Sequence, residues 1–504
     1  YDIIRSFDRP LMDSDSISKI NTNLVTELDW QLFQLQRKYL DYQVNIGNRI
    51  IETLQHEGYQ CISLEQYLGM SKQTLMPEIN KGKAYYAMQT NLWLAEMIYH
   101  VSDFLTALFL VFLALGMMRL LFMYVLMIRE KRAENRRNYA PIDAATAPTV
   151  SIIVPGYNEE VNIVRTITTL KQQDYPNLHI YFVDDGSKDH TLERVHEAFD
   201  NDDTVTVLAK KNGGKASALN YGIAACRSEY VVCIDADTQL KNDAVSRLMK
   251  HFIADTEKRV GAVAGNVKVG NQRNMLTYWQ AIEYTSSQNL DRMAYSNINA
   301  ITVVPGAIGA FRKEVIEAVG GFTTDTLAED CDLTMNINEH GYIIENENYA
   351  VAMTEAPETL RQFVKQRIRW CFGVMQAFWK HRSSLFAPSK KGFGLWAMPN
   401  MLIFQYIIPT FSPLADVLML IGLFTGNALQ IFFYYLIFLV IDASVSIMAY
   451  IFEGERLWVL LWVIPQRFFY RWIMYYVLFK SYLKAIKGEL QTWGVLKRTG
   501  HVEG

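Results

Sequence analysis

Four short runs constrain this chain most: "TVSIIVPGYN" (149–158), "LHIYFVDDGS" (178–187), "VTVLAKKNGG" (205–214) and "YVVCIDADT" (230–238). Each is rich in β-branched residues and ends in a polar or glycine-rich turn. Helical patterns such as "EEVNIVRTITTLKQQ" lie between them. Strand–helix alternation requires βαβ units and a mostly parallel, Rossmann-like α/β sheet. Ligands of such sheets bind at the carboxyl ends of the strands. Asn158, Asp184, Asp185, Asp235 and Asp237 stand at those ends.

Apolar stretches flank this region. "FLTALFLVFLALGMMRLLFMYVLMI" (104–128) is long enough to cross a bilayer, which takes about 20 residues, and Arg119 inside it must snorkel or face protein or water. The basic "REKRAENRR" that follows argues for a cytoplasmic flank and an extracytoplasmic segment 1–100. Further spans are expected near 395–425, bent by Pro409 and Pro413, and at 428–452 and 456–484. A basic tail places the C-terminus in the cytoplasm, which needs an even number of crossings. Three segments are visible, so one splits in two or is re-entrant. The expected order is therefore a helical extension (1–100), a transmembrane helix (101–128), a basic linker (129–148), the α/β domain (149–380), an interfacial segment (381–394), transmembrane or interfacial helices (395–485) and a tail (486–504).

Composition agrees with a soluble domain set among spanning helices. Half of the 504 residues are hydrophobic and 20% are charged, and mean hydropathy is +0.01. A net charge of -3 gives no case for nucleic acid. The five cysteines form no CxxC pair, so neither a zinc site nor a disulfide framework is indicated.

Two carboxylates one residue apart on a turn, Asp235 and Asp237, can hold a divalent cation together with phosphate oxygens. "LAEDCDLT" adds Glu329, Asp330 and Asp332. Asp332 suits the dipole of a helix N-terminus; Asp330 suits a general base. "KKNGGKASALN" carries Lys215 but lacks the Walker A pattern, having Ala209 and Ala216 where glycine and Ser or Thr belong, so ATP hydrolysis is disfavoured. "QRIRW" (366–370) sets Gln366, Arg367, Arg369 and Trp370 at the edge of the apolar region. It reads either as a clamp for phosphate and sugar or as a basic juxtamembrane helix against lipid headgroups.

Taken together, "VPGYNE", "VDDGS", "NGGKASALN", "IDADT", "PGAIGAFR", "LAEDCDLT" and "QRIRW" resemble, in order, the motifs of the processive family 2 glycosyltransferases, the group of cellulose, chitin, hyaluronan and poly-N-acetylglucosamine synthases. The likeness covers about 149–380. It implies a cytosolic GT-A-type domain embedded between transmembrane helices of the plasma or inner membrane. It further implies a UDP-sugar donor, Mg²⁺ or Mn²⁺, and a growing polysaccharide acceptor passed outward through the lipid bilayer. By the same resemblance Asn158 and Asp185 line the uridine pocket, Asp235 meets the nucleotide and Asp237 the metal. Asp330 is the base, Lys215 lies near phosphates, Gln366 bonds either ligand, Arg369 takes the diphosphate and Trp370 stacks on sugar. Ala328 stands where the family's T-E-D motif has Thr. A small membrane subunit or a second copy is the expected partner. Asp416, Asp442, Arg467 and Arg471 lie in apolar surroundings, as functional residues or as interhelix pairs.

"NRIIETLQHEGYQCISLEQYLGM" (48–70) resembles the final helix and strand of polysaccharide deacetylases. No His-x-x-x-His precedes the first span, so no deacetylase activity is expected; 1–95 reads as a remnant or the tail of a domain removed upstream. The likeness tilts the sugar towards N-acetylglucosamine. The competing readings are a non-processive family 2 enzyme adding one sugar to a lipid, a hyaluronan- or cellulose-type synthase using another sugar, an inactive scaffold, and a transporter.

Overall fold

A computed structural model describes residues 52–53, 56, 63–75, 81–424 and 428–487. The deacetylase-like stretch and the C-terminal tail lie mostly outside the described residues. The chain divides into two compact units, Tyr1–Leu113 and Ala114–Gly504. In the first, the short helix Leu64–Leu68 is closed by a capping box between Ser63 and Gln66 and stopped by Gly69 at φ 62°, the left-handed conformation glycine adopts most easily.

The second unit is built on eight strands: β1 (Val150–Gly156), β2 (Leu178–Asp184), β3 (Val205–Ala209), β4 (Tyr230–Cys233), β5 (Gln239–Leu240), β6 (Val260–Val269), β7 (Gly309–Arg312) and β8 (Ile343–Thr354). They form one sheet in the order β3-β2-β1-β4-β7-β6-β8-β5. The four runs read from the sequence are β1 to β4, paired in parallel. β6 and β8 also pair in parallel. β7 runs antiparallel between β4 and β6, and β5 antiparallel to β8, so the sheet is mixed.

Alternation along each strand divides the core in two. Ile153, Val183, Val231 and Cys233 point to one face; Ile152, Val154, Phe182 and Val232 point to the other, as the two-residue strand period requires. Helices cover both faces: Lys215–Ala225 packs Ala218, Leu219 and Ile223 on the first, and two helices cover the second with stripes at helical spacing. Ile163–Lys171 buries Ile163, Ile167 and Leu170, and Thr191–Phe199 buries Thr191, Val195 and Phe199. Burying one large aliphatic side chain contributes roughly 1.5–3 kcal/mol.

The helix Lys83–Arg136 runs on through the first eight residues of the basic linker, because "REKRAENR" is, apart from Asn135, made of residues with good helix propensity. Arg119 on it faces protein: its Nη2 lies 2.9 Å from Asp291 and its Nε donates to Asn400 at 2.8 Å. Among the described residues, one helix is long and apolar enough to cross a membrane, Tyr85–Arg136. Beyond the sheet lie the apolar helices Ile408–Phe424, Ala428–Glu453 and Val463–Lys487. Asp416 and Arg471 pair across two of them at 3.2 Å. The Asp442 side chain lies outside the described residues.

Candidate active site

The carboxyl ends of β1, β2 and β4 open into a cleft of about 430 Å³. After β2, Asp184 turns back on the chain, its Oδ2 accepting from the amides of Gly186 and Ser187 at 3.0 and 3.1 Å. Asp185 accepts from the amides of Gly213 and Gly214 at 2.9 and 2.7 Å and from Lys210 Nζ at 2.7 Å. It thereby fastens the glycine-rich loop after β3 to the cleft wall. Gly214, at φ 85°, turns that loop into the helix Lys215–Ala225.

Lys215 opens that helix and crosses to the centre of the cleft. Its Nζ lies 2.6 Å from Asp235 Oδ1 and 3.0 Å from Glu329 Oε1. Burial opposes its charge, but Asp235, Glu329 and Asp330 hold the ammonium above its ordinary value. Gly306 faces the same point. A Cβ there would lie 2.4 Å from Lys215 Nζ and 3.6 Å from both Asp235 Oδ2 and Asp330 Oδ2. The missing side chain keeps open the space where Asp330, Lys215 and Asp235 meet.

Asp330 lies in the first turn of the helix Glu329–Glu339. Its oxygens accept from the amides of Gly306 at 3.2 Å and Cys331 at 2.8 Å. Burial pushes its carboxyl up, Glu329 adds to that and Lys215 pulls back, leaving it at about 6. A carboxylate near that value is ionised at neutral pH yet basic enough to take a proton. Two residues on, Asp332 points away from the cleft and accepts from His381 Nε2 at 3.1 Å and Lys380 Nζ at 2.9 Å. The helix-end reading of Asp332 therefore gains a structural partner.

The opposite wall is the helix Leu360–Lys380, begun by Thr359, whose hydroxyl accepts from the amide of Gln362. Gln366, Arg369 and Trp370 line the cleft. Gln366 is buried, and its Oε1 has no hydrogen-bond partner. Arg367 turns inward to Glu283 at 2.8 Å.

The structure thus gathers Asp185, Lys215, Asp235, Asp237, Asp330, Gln366, Arg369 and Trp370 around one cleft. Asn158 stands apart from its lining. At φ 57° it receives the amide of Lys188 on its Oδ1 at 2.8 Å, and its own amide donates to Ser187 Oγ at 3.0 Å, so it ties the β1 loop to the β2 loop. Sequence reasoning assigned nothing to Arg292. It follows a π-helical turn, Tyr284–Asn289, a feature frequent at functional sites, and it lines the cleft almost fully buried. Burial pulls its guanidinium down to about 10, against Glu453, Asp291 and Asp330. The acidic and polar "SSQNLDR" carries no periodic signal that would have singled it out.

Acidic turns at parallel strand ends, the buried carboxyl of Asp330 and a cation–aromatic wall meet around one cleft, in a region that resembles known glycosyltransferases. Residues 151–320 match the model of Glycosyl transferase family 2. The similarity extends to particular polymer synthases. The poly-β-1,6-N-acetyl-D-glucosamine synthase of Staphylococcus epidermidis is 32% identical over 260 residues, 51% of this chain and 62% of its own. That of Staphylococcus aureus (strain COL) is 33% identical over 224 residues, 44% of this chain and 54% of its own. The aligned part of the chain therefore spans less than two thirds of these relatives. The mannosyltransferase PcManGT of Pyrobaculum calidifontis, solved with GDP-Man and Mn²⁺, matches with a TM-score of 0.50 at 23% identity, over 71% of this chain and 98% of its own. At that identity the likeness speaks for the fold.

Proposed function

We propose that this chain is an inverting, processive glycosyltransferase that polymerises N-acetylglucosamine from UDP-GlcNAc into a β-linked polysaccharide. The observation that carries the reading is the meeting of Lys215, Asp235 and Asp330 around Gly306, within the cleft that Gln366, Arg369 and Trp370 also line. The choice of sugar is supported by the relatives, which are named as poly-β-1,6-N-acetyl-D-glucosamine synthases.

Asp330 removes the proton from the acceptor hydroxyl, which attacks the anomeric carbon in a single displacement and inverts an α-linked donor to a β-linkage. Asp185 and Asp235 serve the nucleotide end, with Asn158 holding the loops that frame it. Arg369 offers the departing diphosphate a rigid fork of donors, and Trp370 offers the acceptor ring a flat face. Such prearranged charge is usually the largest catalytic contribution.

Asp235 and Asp237 fit Mg²⁺ or Mn²⁺. Both are oxygen donors on one turn of the cleft, Asp235 keeping its Oδ2 beside the Oδ1 that Lys215 holds. Two carboxylates that leave the remaining positions to phosphates and water suit such an ion. When bound it neutralises charge on the diphosphate. PcManGT, solved with Mn²⁺, is consistent with that choice.

Membrane embedding, with the catalytic domain cytoplasmic and the product passed outward, is supported by the helix Tyr85–Arg136 and by exposed Phe432, Ile437, Val440 and Ile451 on Ala428–Glu453. Contiguous apolar surface of this kind marks lipid or partner contact.

Incorporation of radiolabel from a panel of UDP-sugars by the purified protein, followed by digestion with linkage-specific glycosidases, tests the proposal. Long products labelled from UDP-GlcNAc alone support it. Single-sugar additions would reject processivity, and labelling from another donor would reject the sugar.

A further inference from the structure

Asp291 and Arg292 stand side by side on the helix Leu290–Ser296 and both line the cleft, yet they are treated differently. Asp291 is neutralised: Arg119 Nη2 reaches its two oxygens at 3.1 and 2.9 Å. Arg292 is left without an ion pair among the described residues. Its Nη2 donates to the neutral Asn289 Oδ1, and its Nε, buried, has no hydrogen-bond partner. A buried charge lacking partners is costly, and natural sites keep such an arrangement where a ligand completes it.

The neighbourhood identifies the ligand. The carboxylates whose charges act on Arg292 are Glu453, Asp291 and Asp330, the last being the proposed base. The lining also offers uncharged hydrogen-bonding groups, Ser287, Gln288, Asn400 and Gln405, and the ring of Tyr284, along with the carboxylates Glu329 and Glu355. The rings of Tyr284 and Trp370 are in tilted contact, 6.3 Å between centroids, and form one aromatic stretch of the cleft wall. Neutral amides and hydroxyls beside an aromatic surface suit a sugar. A diphosphate would call for further cations, and Lys215 and Arg369 are the cleft's other positive side chains.

We propose that Arg292 is an acceptor-binding residue: its guanidinium donates to a ring substituent of the terminal acceptor sugar and holds that sugar's attacking hydroxyl at Asp330. Gln366, whose buried Oε1 is also unpartnered, meets the same sugar from the opposite wall. This inference rests on the glycosyltransferase reading. It adds a residue from outside the motifs that suggested that reading.

The test compares wild type, Arg292→Gln and Arg292→Lys in the full chain. UDP affinity is measured by calorimetry, and transfer from UDP-GlcNAc is followed while a β-linked N-acetylglucosamine tetramer is varied. Arg292→Gln should raise the acceptor KM roughly tenfold or more, the scale of losing a hydrogen bond from a charged donor, with UDP affinity within about twofold of wild type on that same scale. Arg292→Lys, which keeps the charge but loses the Nε donor, should fall between. A fall in UDP affinity with the acceptor KM unchanged would overturn the proposal in favour of a diphosphate contact. An unchanged pair of constants would overturn it outright. If Arg292→Gln does not fold, Arg292→Lys alone carries the same two outcomes. Should wild type transfer a sugar other than N-acetylglucosamine, the functional reading fails separately. The Arg292 comparison is then made with the donor and acceptor that wild type accepts.

Discussion

The guanidinium of Arg367 lies over the indole of Trp370, 4.5 Å from the ring centroid. Arg367 is almost fully buried, and its second anchor is Glu283, which also accepts from the hydroxyl of Tyr470. Of the two arginines in "QRIRW", one therefore braces the wall from behind while Arg369 lines the cleft.

Replacing Arg367 should cost stability before chemistry. Removing one partner of a buried pair typically costs about 3–5 kcal/mol. Glu283 keeps Tyr470 and some solvent, so Arg367→Met should sit at the low end, about 3 kcal/mol on that scale, seen as a lower unfolding midpoint. Lost transfer at an unchanged midpoint would mean that Arg367 touches substrate.

Asp330 must be ionised to act as a base. With its carboxyl pushed up to about 6, kcat/KM should fall about tenfold per pH unit below that value and level off above it, since this profile reports groups of the free enzyme. Asp330→Asn should lower the rate by about 10² to 10⁴ and abolish the acid limb. A rate that keeps its acid limb in Asp330→Asn would assign the base elsewhere.

Gly306→Ala tests the space at the centre of the cleft. The new methyl meets the far end of Lys215, which can move only by leaving its largely buried carboxylate partners, so stability should fall, by up to about 3 kcal/mol, the low end for a broken buried pair. The displaced lysine leaves Asp235 and Glu329, and transfer should drop at least roughly tenfold, the scale of one charge-assisted contact. Wild-type kinetics in Gly306→Ala would show that this space is not used.

His381 locks the two walls of the cleft together from outside. Its Nε2 bonds Asp332 at 3.1 Å and its Nδ1 bonds Glu339 at 2.9 Å, both on the helix that carries Asp330. Burial alone would lower its pKa, but these hydrogen bonds outweigh it and raise the imidazole to about 9. A raised histidine stabilises fully below its unfolded value near 6.5 and loses that contribution as pH rises through its folded value. Stability should therefore decline between pH 6.5 and 9, by about 3 kcal/mol at most. Denaturant titrations across that range should show a flatter profile for His381→Gln.

The α/β repeat, the acidic strand ends and the "QRIRW" wall were legible in the chain itself. β-branched runs declare strands locally, and a turn after a parallel strand has one place to go. β6, β7 and β8 were not singled out, and their order in the sheet, with β7 antiparallel between β4 and β6 and β8 parallel to β6, depends on partners distant in sequence. Asn158 shows the limit within a motif: its position at a strand end was plain, whereas its turn towards Lys188 follows from a left-handed backbone that side-chain patterns do not encode.

By itself the sequence determined the kind of sheet-end chemistry available and its rough order along the chain, since period and turn residues are local properties. Tertiary structure alone decided which charges close into ion pairs. Asp291 is quenched by a helix that begins some two hundred residues before it, Arg292 beside it is not, and Lys215 is shared between Asp235 and Glu329. Charge pairing acts through space, so no reading of neighbours along the chain could assign it.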